Sequence, residues 1–131
     1  IVDALSVGRR FTVWEAPDIN NVATLSLASE CGRIMHAIAQ LDDPAGIFHC
    51  CGSEPTTRRE LALATCDVFD LDRELLDFGP PDDVPMRHAV PYDTSLSTQQ
   101  TVARLGTDPL TTRQILERFR EERSLVTGAT P

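Results

Sequence analysis

The chain has 131 residues, enough for one domain with a substantial core, and 41 % of them are hydrophobic, as in ordinary globular proteins. Twelve basic residues against twenty acidic ones give a net charge of −8, which disfavours nucleic-acid binding because phosphate contacts need a basic face. No apolar run reaches the roughly 18 residues of a membrane span, and the start lacks a signal-peptide pattern, so we expect a cytoplasmic protein with no membrane partner.

The basic residues are all arginine, and the sequence contains no lysine. A P-loop needs a lysine on the phosphates and Schiff-base chemistry needs a lysine amine, so both are excluded. The seven glycines do not fall at the spacing of a dinucleotide-binding fingerprint. We therefore expect this chain to bind no nicotinamide cofactor by itself.

The first elements in chain order are a helical tail, a strand and an amphipathic helix. Residues 1–6 read as the end of a helix that stops at Gly8, so a chain that begins without Met is expected to be a piece of a longer polypeptide. Over Phe11–Glu15 the side chains alternate between two faces, and this alternation predicts a short strand. Apolar residues then recur at helical spacing and predict a helix with one inner face, formed by Leu27, Cys31, Ile34, Ile38 and Leu41.

The segment Gly46–Gly52 and the turn after it predict an α/β arrangement. Apolar and small residues around His49, closed by a glycine at each end, indicate a short strand buried on both faces. Thr57 and Glu60 have the Thr-x-x-Glu spacing of a capping box, which starts a helix that continues to about Phe69. A buried strand, a tight loop and a capped helix make half of a βαβ unit, and such loops often hold ligands.

Residues 70–91 are predicted to be mostly irregular. A helical turn is expected over 70–77. The stretch 79–83 is irregular because Pro-Pro can join neither a helix interior nor a β-ladder. The chain is then expected to lie extended across the surface as far as Pro91.

The C-terminal part is predicted to contain two helices. A short one is expected to start at residue 97 or 98 and to end at Gly106. Thr111 and Gln114 repeat the capping-box spacing and open a last helix through about Ser124. Its predicted inner face is formed by Ile115, Leu116 and Phe119. We expect residues 1–125 to form one lobe and residues 126–131 a frayed tail.

Several motifs follow one another in an order that resembles a known family. Along the chain they are Val22–Ala28, Gly46–His49 with Gly52–Pro55, Thr57–Ala62, Asp93–Thr98 and Leu105–Gly106. Over about 11–119, this succession resembles the C-terminal half of extended short-chain dehydrogenase/reductases, most closely the dTDP-4-dehydrorhamnose reductase type. The resemblance implies the substrate-binding lobe of a Rossmann-type enzyme, with few short strands, packed helices and the N-terminal dinucleotide-binding domain absent.

The resemblance also implies what the parent enzyme would do. Such enzymes bind NAD(P)H and use a Tyr-x-x-x-Lys pair to reduce or epimerise a sugar attached to a nucleotide. Here the single tyrosine, Tyr92, is followed four residues later by Leu96, so the pair is missing and the chain is not expected to be catalytic alone. The implied partners are a nucleotide-sugar substrate and the missing Rossmann domain, and a second copy of the chain is a further candidate.

Two departures from the family pattern favour an alternative hypothesis. The family's arginine before Pro91 is Val90 here, and its Pro-Thr is replaced by Asn21-Val22. Both positions are implied to lie near the substrate. The alternative is a non-catalytic member of the same fold, which would act as a regulatory subunit or bind a protein partner.

Four residues are the predicted substrate contacts. Asn20 and Asn21 lie on a loop, where their amides can meet a phosphate or sugar hydroxyl or can form local turn bonds instead. Arg87 and His88 lie on the Pro-rich segment. A guanidinium there can bind a pyrophosphate through two oxygens, or it can be a solvent-exposed loop residue.

Other notable side chains have structural interpretations beside functional ones. Arg58 and Arg59, in the first turn of a helix, can pair with Glu54 or Glu60 or can face an anion. Trp14 can stack on a base or pack over a sheet edge. For the cysteines, buried free thiols are favoured over zinc, because adjacent cysteines on a strand point to opposite faces.

Overall fold

The computed structural model describes residues 1–81 and 90–128. The helices in this part of the chain are α1 (Val2–Leu5), α2 (Ala28–Ala39), α3 (Arg58–Phe69), α4 (Gln99–Leu105) and α5 (Thr112–Thr127). The strands are β1 (Phe11–Trp14), β2 (Val22–Thr24), β3 (Pro55–Thr57) and β4 (Leu76–Gly79), and a 3-10 turn at Arg73–Leu75 leads into β4. The fold is therefore mixed α/β, with few short strands among helices.

The strands form two small sheets. Strands β1 and β4 pair in parallel, with Phe11 opposite Leu76 and Trp14 opposite Gly79. Strands β2 and β3 pair antiparallel, from Val22 opposite Thr57 onward. Because parallel strands need a crossover, the chain between β1 and β4 returns through α3, which packs on this sheet.

The main core lies between helix α3 and the β1–β4 sheet. Its buried residues come from α1, β1, α3 and β4, and they are Leu5, Val13, Ala62, Cys66 and Leu76. Helix α5 packs on the other side of α3, where the rings of Phe69 and Phe119 lie 6.0 Å apart. Helix α3 is thus the central element of the fold.

Both predicted capping boxes are present. The Thr57 hydroxyl accepts from the backbone N–H of Glu60 at 3.1 Å, and the Glu60 carboxylate accepts from the Thr57 N–H at 2.8 Å. Thr111 and Gln114 make the same reciprocal pair at the start of α5. The backbone hydrogen bond from Thr57 lowers the pKa of the Glu60 carboxyl. The starts of α3 and α5 are therefore confirmed.

The predicted strand at Gly46–Gly52 is wrong. This segment has no regular secondary structure, and Ile47 is 74 % exposed rather than buried. No neighbouring strand pairs with it among the described residues; instead, the buried Thr101 hydroxyl accepts from the His49 N–H at 2.9 Å and donates to the His49 carbonyl at 3.1 Å. The βαβ-like unit of this fold is formed by β1, α3 and β4.

Helix α4 holds the irregular segment in place. Arg104 donates to the backbone carbonyls of Asp43 at 2.5 Å and Ala45 at 3.3 Å, and it lies over the Phe48 ring. The His49 ring Nδ1 also lies 2.7 Å from the Ser97 carbonyl, just before α4. The prediction of a short helix ending at Gly106 is confirmed. The sequence did not predict that this helix holds the irregular segment in place.

Two element boundaries and the burial of one side chain also differ from the predictions. The stretch expected to be only a helical turn continues from the 3-10 turn into β4, which pairs with a strand more than sixty residues earlier. Helix α5 ends at Thr127 rather than near Ser124, with Gly128 in the left-handed conformation. Phe119 was predicted to face inward but is 39 % exposed, while Ile115 and Leu116 are buried as expected.

Candidate functional site

Polar side chains converge where β1 ends and α3 begins. The loop between β1 and β2 carries Asn20 and Asn21, and helix α3 starts beside it with Thr57, Arg58 and Arg59. The two parts are joined directly, because the backbone N–H of Arg58 donates to the Asn21 carbonyl at 3.0 Å. The segment around Tyr92 completes the site by bonding to the same loop.

The Asn20 side chain ties this loop to a distant part of the chain. Its amide Nδ2 lies 2.8 Å from the Thr94 hydroxyl and 3.1 Å from the Val22 carbonyl, with longer contacts to the carbonyls of Pro91 and Tyr92. The bond to Val22 is local, whereas the other contacts join the loop to residues 91–94. Substrate binding by Asn20 stays a prediction.

Asn21 is buried and closes the loop on itself. Its amide donates to the Ala16 carbonyl and, at 3.4 Å, to the Ile19 carbonyl. Its backbone N–H donates to the Tyr92 carbonyl at 2.9 Å. The residue therefore holds the loop shape, and a ligand contact through its remaining oxygen stays a prediction.

The two arginines at the start of α3 are used structurally, with partners that differ from those predicted. Arg59 forms a two-point contact with Glu15, at 2.9 and 2.6 Å, and its guanidinium lies 3.8 Å from the centre of the Phe78 ring. Arg58 donates through Nε to the Asn20 carbonyl at 2.5 Å. Neither pairs with Glu54 or Glu60, the two partners expected from the sequence.

Two cavities flank this cluster and share Asn21 and Thr57. One of about 490 Å³ is lined by Glu15, Ala16, Pro17, Asn21, Thr57, Arg59 and Tyr92. The other, of about 370 Å³, lies on the Asn20 and Arg58 side and extends to Leu25 and Leu61. Tyr92 is 52 % exposed, so aromatic surface is available in the first cavity, whereas Trp14, which is 44 % exposed, does not line it. The arrangement offers hydrogen-bonding groups and two arginines to a polar ligand.

The sequence did not identify Glu15, Tyr92 and Thr94 as members of this site. Glu15 follows β1 directly, and Arg59 lies in the first turn of α3. An acidic residue at the end of a strand and an arginine at the start of a helix could have been used to predict this pair. The Asp93 carboxylate accepts from the Ser95 N–H at 2.8 Å, and this bond lowers its pKa. The predicted contacts Arg87 and His88 lie outside the described residues.

A third cavity is apolar and adjoins the second one, with which it shares Leu25, Ser26 and Leu61. It measures about 510 Å³ and is lined mainly by residues of α1, α3, α5 and the stretch 25–28, with Phe119 at its edge. Asp3 and Arg123, which pair at 2.5 Å, lie on its rim. We call it the apolar groove.

Metal chemistry finds no support in the part of the chain that is described. Within 1–81 and 90–128, no three His, Cys, Asp or Glu side chains are grouped so as to hold a metal ion. All four cysteines are free thiols. Across the same residues, no helix is both long and apolar enough to cross a membrane.

Comparison with known proteins gives a fold-level relationship. No family model matches the sequence, and no curated protein matches it either. Among solved structures, the chain is similar to the UDP-glucuronic acid 4-epimerase of Bacillus cereus, determined in complex with NAD, with a TM-score of 0.65 and 11 % identity. The match covers 98 % of this chain and 38 % of the epimerase chain. The fold of this chain is thus similar to the fold of part of that epimerase.

Proposed function

We propose that this chain is the substrate-binding portion of an NAD(P)-dependent sugar-nucleotide reductase or epimerase. The observation that carries the proposal is the match of nearly the whole chain to 38 % of an epimerase that was determined with NAD. The order of motifs described above favours a dTDP-4-dehydrorhamnose reductase-like specificity within this class. NAD(P)H would be bound by the rest of the parent enzyme, and this chain would supply contacts to the nucleotide sugar.

The polar cluster is the proposed contact surface. Asn20 and Asn21 use their amide nitrogens inside the fold, and neither side-chain oxygen accepts a hydrogen bond from another described residue. These oxygens can accept from sugar hydroxyls. Arg58 uses Nε for the Asn20 carbonyl, so its other N–H groups can meet a phosphate. Arg87 and His88 remain the proposed contacts to the pyrophosphate.

The proposed setting is the cytoplasm. Four free cysteines are typical of a reducing compartment, since extracellular domains of this size usually pair theirs. Proposed partners are the nucleotide-sugar substrate, the Rossmann part of the parent enzyme and a second copy of the chain.

A ligand-binding experiment on this chain tests the proposal. Saturation-transfer NMR with UDP-glucose, dTDP-glucose and NADH is expected to give signals from the nucleotide sugars and none from NADH. Arg58→Gln is expected to weaken the nucleotide-sugar signal, while Arg10→Gln, which only removes an exposed pair with Asp77, is the matched control. We also expect no NADH or NADPH oxidation by the chain alone, with or without nucleotide sugar.

Two outcomes would contradict the proposal. The first is the absence of nucleotide-sugar binding by a chain that circular dichroism shows to be folded. The second is turnover of NADPH that depends on this chain alone, which would mean that it carries catalytic groups of its own.

A second candidate function is a protein-binding member of the same fold. The apolar groove and the half-exposed Phe119 favour this alternative, because open apolar recesses often receive side chains of a partner. A chain that binds no nucleotide sugar but joins a protein partner through this groove would support it over the first proposal.

A further inference from the structure

Two cysteines meet where helix α2 passes the irregular segment before β3. Cys31 lies in the first turns of α2, and its thiol donates to the backbone carbonyl of Cys50 at 3.0 Å. Cys50 and its neighbour Cys51 lie on the segment that α4 holds in place. The fourth cysteine, Cys66 of α3, is 1 % exposed and belongs to the separate core between α3 and the β1–β4 sheet.

The contact places the two cysteines within reach of a disulfide. From standard backbone dimensions, a carbonyl oxygen lies about 2.4 Å from its own Cα, so the Cys31 sulfur is no more than about 5.4 Å from the Cys50 Cα. A disulfide needs the two sulfurs to come to about 2.05 Å from each other, and the Cys31 sulfur already lies close to the Cα that carries the Cys50 side chain. Because the chain from 45 to 54 forms neither helix nor strand, it can make the small adjustment that closes the bond.

Cys50 rather than Cys51 is the suitable partner for Cys31. The Cys51 thiol is directed to the Leu96 carbonyl at 4.0 Å. Cys31 and Cys50 are also half-buried, so a small oxidant can reach them, whereas Cys51 is buried.

The electrostatics of the thiols agree with this proximity. Burial raises the pKa of the Cys50 thiol, and the neighbouring Cys31 raises it further; burial and Cys31 raise the pKa of Cys51 in the same way. A protonated thiol is a slow nucleophile, so oxidation at neutral pH is expected to be slow.

We propose that Cys31 and Cys50 form a reversible disulfide when the chain meets a small-molecule disulfide such as oxidised glutathione. The thiolate of one cysteine attacks the glutathione disulfide and releases one glutathione; the second cysteine then attacks the mixed disulfide and releases the other. Two cysteine thiols are oxidised, one glutathione disulfide is reduced to two thiols, and the two protons pass to these leaving groups. The bond ties α2 to the segment leading to β3, and it is independent of the proposed function.

Peptide mapping after equilibration with glutathione buffers tests the proposal. Trypsin cuts after Arg10, Arg33 and Arg58, so the disulfide joins fragment 11–33 to fragment 34–58 and this pair separates on reduction. The pair is expected in oxidising buffer with wild-type chain. It should be lost in Cys31→Ser and in Cys50→Ser and retained in Cys51→Ser and Cys66→Ser.

A second measurement does not depend on variants. Closing the loop between residues 31 and 50 restricts the unfolded chain, so the oxidised wild-type protein is expected to melt several degrees above the reduced one, and reductant should reverse the change. The proposal is overturned if no intramolecular disulfide forms in oxidising buffer. It is equally overturned if the bond joins Cys50 to Cys51 within one fragment or persists in Cys50→Ser.

Discussion

At the residue scale, Gly52 shows how closely three parts of the chain approach one another. A Cβ atom at this position would lie 2.8 Å from the Leu110 carbonyl oxygen, 2.9 Å from the Ile115 side chain and 3.2 Å from the Leu25 carbonyl oxygen. The Gly52 N–H also donates to the Leu25 carbonyl at 2.8 Å. Only glycine fits here, because two of these neighbours are backbone atoms that a side chain cannot displace cheaply.

Gly52→Ala is expected to lower the free energy of unfolding by about 1–3 kcal/mol, the usual range for overpacking. The matched control is Gly32→Ala in helix α2, where a Cβ would meet nothing within 4 Å. Alanine favours a helix over glycine, so this control should gain about 0.5–1 kcal/mol. Urea unfolding measures both, and equal effects would contradict the packing described for Gly52.

The contact of Arg59 with Glu15 and Phe78 is the strongest pairing in the candidate site. Arg59→Gln is expected to destabilise the protein by about 1 kcal/mol, since a two-point pair and a cation–π contact are lost at a partly exposed position. A double-mutant cycle with Glu15→Gln isolates the pair. Arg10→Gln, which breaks only a one-point exposed contact, should change stability by less than about 0.5 kcal/mol.

At the element scale, helices α3 and α5 depend on the capping boxes at their N-terminal ends. Thr57→Ala and Thr111→Ala are each expected to lower the free energy of unfolding by about 1 kcal/mol, because each removes an acceptor for a helix N–H group. Thr57→Ser keeps the hydroxyl and should cost much less. Chemical denaturation of the three variants checks this, and a Thr57→Ser as unstable as Thr57→Ala would argue against capping as the cause.

A buried carboxylate joins helix α2 to helix α5. The Glu30 side chain is 7 % exposed; it pairs with Arg33 at 2.5 Å in its own helix and with Arg118 of α5 at 3.1 Å. The hydrogen bond from Arg33 lowers the pKa of the Glu30 carboxyl, while burial opposes this shift. Folding thus favours the charged form of Glu30.

The stability of the protein should therefore depend on pH through Glu30. A carboxyl whose pKa is lowered on folding stabilises the folded state above its ordinary pKa of about 4.3, and this contribution is lost as pH falls through the folded pKa. Glu30→Gln is expected to cost about 1–2 kcal/mol at pH 7 and progressively less below pH of about 4. Unfolding curves across this range test it, with Glu117→Gln at an exposed pair as the control.

At the scale of the whole molecule, the fold leaves the apolar groove open among the described residues. An exposed apolar recess favours association, so we expect the chain to self-associate as its concentration rises. Phe119→Ser should weaken this association, whereas Met35→Ser, at an exposed apolar residue that does not line the groove, should leave it unchanged. Sedimentation velocity over a range of concentrations measures this, and a concentration-independent monomer would contradict the expectation.

Elements whose signals lie within a few residues could be predicted from the sequence. The capping boxes at Thr57 and Thr111 join residues three positions apart, and the apolar stripe of α2 repeats every three or four residues. Such patterns depend on local geometry alone, so α2, α3 and α5 are found where they were expected. The strand predicted at Gly46–Gly52 failed because a buried strand and an extended segment held by Thr101 share one apolar pattern.

Local sequence patterns specify the helices, their caps and the loop that carries Asn20 and Asn21. The pairing of β1 with β4, of Arg59 with Glu15 and of Asn20 with Thr94 is set by the packed fold. These contacts join residues more than forty positions apart, which is too far for a local pattern to specify. Their partners are chosen by how α3 packs between the strands and α5, and no local pattern of residues records that choice.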